Sequence, residues 1–234
     1  MTFAAMKKFV LVVAGGQGTR MGASLPKQFL EVAQKPILMH TLNRFWQWDQ
    51  NAEIILALPP SHQDYWRELL TKYQFNIPHV VVNGGETRTE SVRQGLAYIQ
   101  EEESLVAIHD GVRPCVALST IAESFQVAAQ KGSAITAVRL KDSIREMLPS
   151  GHTEVRDRNR YFLMQTPQTF QTRLIKAAYS QLKSTAMTDD ASVAEHHGIA
   201  VHLIEGSYQN IKATTPEDLF LLEYLLQSTS PFHV

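Results

Sequence analysis

Between Leu11 and Leu30 the chain reads LVVAGGQGTRMGASLPKQFL, and this stretch holds the residues best suited to binding phosphate. An apolar run ends in Ala14, Gly15, Gly16, Gln17 and Gly18, and Arg20 and Lys27 follow at close spacing. Glycine has no Cβ, so backbone N–H groups in such a loop approach a polyphosphate unobstructed, and successive amides form an anion-binding nest. The same glycines would also serve a tight strand-to-helix turn with no ligand. Two cations close behind them favour the binding loop.

Two familiar phosphate motifs do not fit. A P-loop needs Gly-Lys followed by Ser or Thr, and the chain contains no such Gly-Lys pair. The dinucleotide fingerprint fits Gly16 and Gly18 but then needs glycine or alanine where Met21 stands, which disfavours a nicotinamide oxidoreductase.

AGGQGTRM followed by LPKQFL resembles the sugar nucleotidyltransferase superfamily, and within it the cytidylyltransferases that act on methylerythritol phosphate and ribitol phosphate. Five further stretches resemble signatures of those enzymes, in the same order. They are Gly84 to Arg88 with Ser91, Asp110 to Pro114, Thr166-Pro167-Gln168, Thr188 to Ser192, and Asn210-Ile211-Lys212. The glycine loop and LPKQFL do not separate the two substrates. Thr188 to Val193 and Asp157-Arg158-Asn159 look more like the methylerythritol enzymes, with ribitol 5-phosphate as the alternative acceptor.

The resemblance implies that a phosphate monoester oxygen attacks the α-phosphate of CTP and expels pyrophosphate. A monoester carries about −1.5 to −2 charge at pH 7, so the nucleophile is already ionised and no Ser-His-Asp device is needed. Catalysis is then positioning plus electrostatic stabilisation of gathered anions. By family analogy Arg20 and Lys27 stabilise the α-phosphate and the departing pyrophosphate, while Arg158 and Lys212 hold the acceptor phosphate. Ala14, Gly15, Gly16 and Gly18 belong to the loop. Gly85, Glu86 and Ser91 match the segment that reads the cytosine edge, where a carboxylate can accept from the exocyclic amine. Asp110 matches a residue near the ribose and acceptor hydroxyls, with contact to a metal also open. Arg113, Ser143, Thr166 and Thr188 match remaining substrate contacts, Ser143 standing where threonine is common. Mg²⁺ is the implied cofactor, since it prefers oxygen ligands and rides on substrate phosphates. A non-catalytic nucleotide-binding protein of the same fold is a further alternative, disfavoured because Arg20, Lys27, Arg158 and Lys212 occur together.

Other suggestive residues have plainer explanations. Asp189 and Asp190 suit the acidic first turn of a helix capped by Thr188. His196 and His197 would point in different directions on a helix and make a poor metal pair. Trp46, Trp48 and Trp66 read as core and rim residues, and nothing in this chemistry needs a thiolate from Cys115.

The elements that must position these residues alternate regularly. Phe9 to Ala14, Glu53 to Leu58, Val80 to Val82, Leu105 to His109, Ala134 to Val138 and Ala200 to Ile204 read as buried strands, apolar on both faces. Between them, Pro36 opens a helix reaching about Trp48. Val92, Leu96 and Ile99 form one helical stripe. Thr215 to Asp218 make a helix start whose buried face is Leu219, Leu222 and Leu226. This order predicts a three-layer, mainly parallel α/β sheet, which the resemblance makes a Rossmann-like nucleotidyltransferase sheet. Residues 139–160 depart from the pattern. This polar stretch turns at Pro149-Ser150-Gly151 and reads as a projecting hairpin arm on a single domain spanning 1–234. An insertion of this kind is a functional or an association device, and suggests a homodimer in which it carries Ser143 and Arg158 into the neighbour's site.

Composition sets the outer limits. The 234 residues include 22 Lys and Arg against 23 Asp and Glu, so no bulk charge draws the chain to nucleic acid or an anionic membrane. Lys7-Lys8 before an apolar run imitates a signal peptide, but the run is only about seven residues long, near the lower limit for one. A single cysteine excludes an internal disulfide. A soluble cytoplasmic protein is expected.

Overall fold

A computed structural model describes residues 6–15, 25–182 and 187–228; Gly16, Gly18 and Arg20 lie outside these. In chain order the elements are β1 (Lys7–Val13), a 3₁₀ turn at Lys27–Phe29, β2 (Glu31–Val32), β3 (Lys35–Pro36), α1 (Ile37–Trp48), β4 (Glu53–Leu58) and α2 (Pro60–Lys72). They continue with β5 (Val80–Asn83), α3 (Arg88–Tyr98), β6 (Ser104–Asp110), α4 (Leu118–Lys131), β7 (Ser133–Arg139), β8 (Ile144–Met147) and β9 (Thr153–Arg156). A second 3₁₀ turn at Arg158–Arg160 leads to β10 (Phe162–Gln171), α5 (Thr172–Gln181), α6 (Asp190–His196), β11 (Leu203–Glu205) and α7 (Pro216–Gln227).

Seven strands form one sheet in the order β11-β7-β10-β6-β1-β4-β5. Each strand is parallel to its neighbours except β10, which runs antiparallel to both β6 and β7. The period-two alternation of β1 divides the core. Phe9, Leu11 and Val13 meet Val92 and Leu96 of α3 and Ile175 and Tyr179 of α5 on one face. Val10 and Val12 meet Leu38, Leu42 and Phe45 of α1 and Ile121 and Phe125 of α4 on the other. The result is the expected three-layer, mainly parallel α/β architecture.

The strand missing from the sequence reading is β10. Its centre reads Gln165-Thr166-Pro167-Gln168-Thr169, and proline in a central strand normally argues against one. Here Pro167, on a cis peptide bond, falls in a break in register between Met164 and Gln168, where no ladder hydrogen bond is required of it. The buried polar side chains are satisfied individually; Thr169 Oγ1, for example, donates to Ser124 Oγ at 2.9 Å.

Three smaller expectations change. Pro36 precedes the first residue of α1 instead of occupying it. The last edge strand begins at Leu203, so the apolar Ala200 and Val201 precede it. Asp189, not Thr188, caps α6, its carboxylate accepting from Ser192 N–H at 3.0 Å. Helix α7 starts as expected, with Asp218 Oδ2 accepting from the N–H groups of Thr214 (2.7 Å) and Thr215 (2.8 Å). Within residues 139–160, Arg139 still belongs to β7, and the hairpin proper begins at β8. The strands β8 and β9 pair as a separate two-stranded ribbon, turned at Gly151 with φ of 83°, and Arg156 bridges to Glu146 and Glu154.

Candidate active site

The strand order reverses beside β1, because the chain adds β4 and β5 on one side and returns to β6 on the other. A crevice opens at such a reversal, outside the C-terminal strand ends. Three linked cavities occupy it. The central one, about 300 Å³, is lined by Ala14, Gly15, Lys27, Glu86, Arg88, Ser91, Asp110 and Lys212 among others. A second, about 710 Å³, shares Gly15 and Glu86 with it and adds Pro59, His62, Gly84 and Gly85. A third, about 200 Å³, shares Arg88, Asp110 and Lys212 and adds Arg113, Thr166, Gln168, Thr188 and Asp189.

Lys27 is carried on a rigid shelf. Its 3₁₀ turn is fixed on one side by Gln28, whose buried amide donates to the Ala14 carbonyl at 2.8 Å, at the end of β1. On the other side the fully buried Phe29 packs edge-on against His62 and Tyr65 and stacks on Trp66, all in α2.

Asp110, the last residue of β6, is the hub. Its Oδ1 accepts from Arg88 Nε at 3.2 Å, while its Oδ2 meets Lys212 Nζ at 2.8 Å and Arg113 Nε at 3.4 Å. Burial alone would raise the pKa of this carboxyl, but Arg88, Lys212 and Arg113 outweigh it and hold it far below the usual carboxylate range. Arg88 reaches further. Its NH1 and NH2 donate to the two oxygens of the fully buried Asp190, at 3.0 and 2.7 Å, a bidentate fork. Tyr179 Oη donates to the same Asp190 at 2.5 Å. Burial opposes the Arg88 charge, but Asp190 and Asp110 overcome it and raise its pKa well above the ordinary value.

Neighbouring polar groups fix the backbone around this hub. His109 Nε2 faces the Arg113 carbonyl at 3.0 Å, so that nitrogen carries the proton and Nδ1 accepts from Thr166 Oγ1 at 3.1 Å. Thr166 Oγ1 in turn accepts from Asp110 N–H at 3.1 Å. Burial pushes the His109 pKa down to about 4, so the ring is neutral at pH 7. Asn210, also buried, donates to the Thr166 carbonyl at 2.8 Å, and Arg113 NH1 donates to the Asn210 carbonyl at 2.8 Å. These bonds bring the segment ending at Lys212 against the end of β6. Gln168 donates to Asp189 and accepts from Ala191 N–H, which sets the start of α6 beside it.

At the other end, a Cβ on Gly85 would lie 2.3 Å from Glu90 Cβ, so the backbone follows this path only with glycine there. Ser91 Oγ accepts from Gly85 N–H at 3.1 Å and donates to the Thr87 carbonyl at 2.9 Å. The hydroxyl therefore shapes the loop from below, and Glu86 is left exposed at the cavity rim.

Most of the described residues singled out in the sequence thus meet in one crevice. Two do not. Ser143 is exposed just before β8, and Arg158 is exposed on the second 3₁₀ turn, donating to the Lys141 carbonyl; neither lines the crevice. Thr166 is at the crevice, but its hydroxyl is already committed to His109 and Asp110. Sequence reasoning quoted Arg88, Gln28, Gln168 and Asn210 inside its motifs without giving them a part, and gave Asp190 only a place in an acidic first helical turn. Arg88, Gln168, Asp190 and Asn210 stand among other polar residues in the sequence, so no local pattern marked them.

The family model described as 2-C-methyl-D-erythritol 4-phosphate cytidylyltransferase matches residues 8–228. A protein of that name from Bacteroides thetaiotaomicron is 47% identical over 94% of this chain and 100% of its own length. One from Porphyromonas gingivalis is 48% identical over 95% of this chain and 99% of its own. Among solved structures, 4-diphosphocytidyl-2C-methyl-D-erythritol synthase from Anaerococcus prevotii superposes with a TM-score of 0.82 at 28% identity, over 96% of this chain and 98% of that one. The 2-C-methyl-D-erythritol 4-phosphate cytidylyltransferase of Thermus thermophilus gives 0.77 at 31% identity, over 94% and 98%. Fold and crevice together define a nucleotidyltransferase. More particularly, the chain belongs to the 2-C-methyl-D-erythritol 4-phosphate cytidylyltransferase family.

Proposed function

We propose that this crevice transfers CMP from CTP to 2-C-methyl-D-erythritol 4-phosphate, in the non-mevalonate route to isoprenoids. An oxygen of the acceptor's phosphate monoester forms a bond to the α-phosphorus of CTP. The bond from that phosphorus to the α,β-bridging oxygen breaks, and pyrophosphate leaves with the electron pair. The products are pyrophosphate and 4-diphosphocytidyl-2-C-methyl-D-erythritol. The observation that carries the reading is the convergence of Arg88, Arg113 and Lys212 on one carboxylate at a strand-order reversal, with Lys27 lining the same crevice.

Each cavity suits one part of that reaction. The Gly85–Glu86 end supplies backbone groups and a carboxylate for the cytosine edge. The centre, with Ala14, Gly15 and Lys27, suits the triphosphate, with Arg20, Gly16 and Gly18 from the adjoining loop assigned to the same task. The end lined by Arg113, Thr188 and Lys212 suits the acceptor, whose phosphate can take Lys212 from Asp110 by offering a stronger anion. Asp110 and Glu86 are the carboxylates lining the central cavity among the described residues. One or two carboxylates fit a Mg²⁺ held mainly by CTP phosphates, where it would neutralise charge gathering on the pyrophosphate. The test is a pyrophosphate-release assay crossing CTP, UTP and GTP with methylerythritol phosphate and ribitol phosphate. The expected pair is CTP with methylerythritol phosphate; faster turnover of ribitol phosphate would overturn the assignment.

The arm supports a homodimer in which Ser143 and Arg158 complete the neighbour's acceptor end. Met147 and Val155 project from it 67% and 69% exposed, and Tyr161, Leu163 and Met164 lie exposed at its base. Sedimentation at micromolar concentration is expected to give a dimer, and a fully active monomer would refute this. Among the described residues no helix is long and apolar enough to cross a membrane, in keeping with a proposed cytoplasmic site of action.

A further inference from the structure

Arg88 occupies a position that local structure does not explain. It is the first residue of α3, where the helix dipole disfavours a cation. A buried ion pair is also a weak source of net stability, because desolvation offsets its attraction. Yet this guanidinium uses three N–H groups on two carboxylates that are 22 and 102 residues away in the chain. It joins the ends of three separate segments: the Gly84–Arg88 loop, the end of β6 at Asp110, and the start of α6 at Asp190. It also lines both the central cavity and the acceptor end, so the two halves of the site meet on it.

The division of labour at Asp110 shows what this accomplishes. Arg88 takes Oδ1, while Lys212 and Arg113 share Oδ2. When Lys212 leaves for a phosphate, Asp110 keeps an anchor on its other oxygen. On the far side, Asp190 is clamped by the fork and by Tyr179, which holds the adjacent Thr188–Asp189 turn against the acceptor cavity. Lysine at this position would keep the charge but lose the planar fork, so it could satisfy one carboxylate and not both.

We propose that Arg88 is a positioning residue for the transfer step, locking Asp110 and the 188–190 turn in one fixed relation so that the acceptor oxygen and the α-phosphorus of CTP meet in line. The inference rests on the crevice being the cytidylyl-transfer site. Arg88 acts through Asp110 and Asp190, with Tyr179 as the outer brace.

Two variants test it by steady-state pyrophosphate release with both substrates varied, alongside thermal unfolding. Arg88→Lys is expected to lower kcat about 10²-fold while leaving the KM for CTP within about threefold, since displacement of roughly 1 Å near reacting atoms has that effect. Tyr179→Phe keeps the ring in the core and removes one donor from Asp190. It is expected to lower kcat about three- to tenfold with little change in thermal midpoint, and it decides the matter if the lysine variant does not fold. A kcat within twofold of the parent in the folded variant would make the cluster merely structural and overturn the proposal. A rise of more than about tenfold in the KM for CTP would make Arg88 a binding contact instead, with the same consequence. An inactive parent protein would refute the transfer reaction itself, which is a separate failure.

Discussion

Replacing Lys27 with alanine lowers kcat about 10²–10³-fold and leaves the thermal midpoint nearly unchanged, as loss of one preorganised electrostatic partner does. The two halves of this expectation have different origins. The shelf that carries Lys27 is held by Phe29 in its aromatic cluster and by Gln28 on the Ala14 carbonyl, and neither involves the lysine ammonium. Removing the side chain beyond Cβ therefore leaves the fold in place. What disappears is a cation lining the crevice, where in the proposed reaction negative charge grows as pyrophosphate departs. Water entering the gap must reorient to replace it, and that reorganisation is the cost a fixed charge avoids. Steady-state kinetics with less than a tenfold loss would remove Lys27 from the catalytic set.

The second large effect is at Asp110. Asp110→Asn keeps the size of the side chain and removes the negative charge shared by Arg88, Arg113 and Lys212. Lys212 can turn to solvent, but Arg113 is largely buried and Arg88 keeps only Asp190. Leaving buried cations under-compensated costs about 3–5 kcal/mol, and we expect urea unfolding at pH 7 to show a loss in that range. The wild-type carboxylate is fully ionised at that pH. Its depressed pKa means that its contribution is complete above the unfolded value near 4 and is withdrawn only as pH falls below it. Activity is expected to fall at least about 10²-fold, because the acceptor cations lose their common reference point. A variant within 1 kcal/mol of wild type that retains a tenth of its activity would show that Asp110 is not the hub.

The sequence by itself determined the strands with apolar residues on both faces, the helix stripes and the reaction class. Glu53–Leu58 is recovered to the residue, and β1, β6 and β7 to within two residues at each end, because burial on both faces leaves a continuous apolar run that needs no partner to be seen; β5 is found from its valines although, at the sheet edge, none of its residues is fully buried. The arm was legible for the opposite reason, since its polarity and its Pro-Ser-Gly turn exclude it from the core. The glycine loop and the LPKQFL segment likewise announced phosphate chemistry through residue type and spacing alone.

Only the tertiary structure decided the rest. β10 is invisible locally because its centre is polar and contains proline, and it lies in the sheet because β6, β7, α4, the start of α6 and the loop after β11 supply partners for its buried polar groups. Asp190 does stand in the acidic first turn of α6, but only the fold makes it the buried counter-ion of Arg88; likewise only the fold shows that the Thr166 hydroxyl braces His109 and the Asp110 backbone. In each case the residue type was plain from the start. Its partner lay dozens of residues away, and a charge's role depends on what stands opposite it after folding. Residue spacing predicts a partner within one helix or strand, but the meeting of Arg88, Asp110 and Asp190 follows from the order in which the strands assemble.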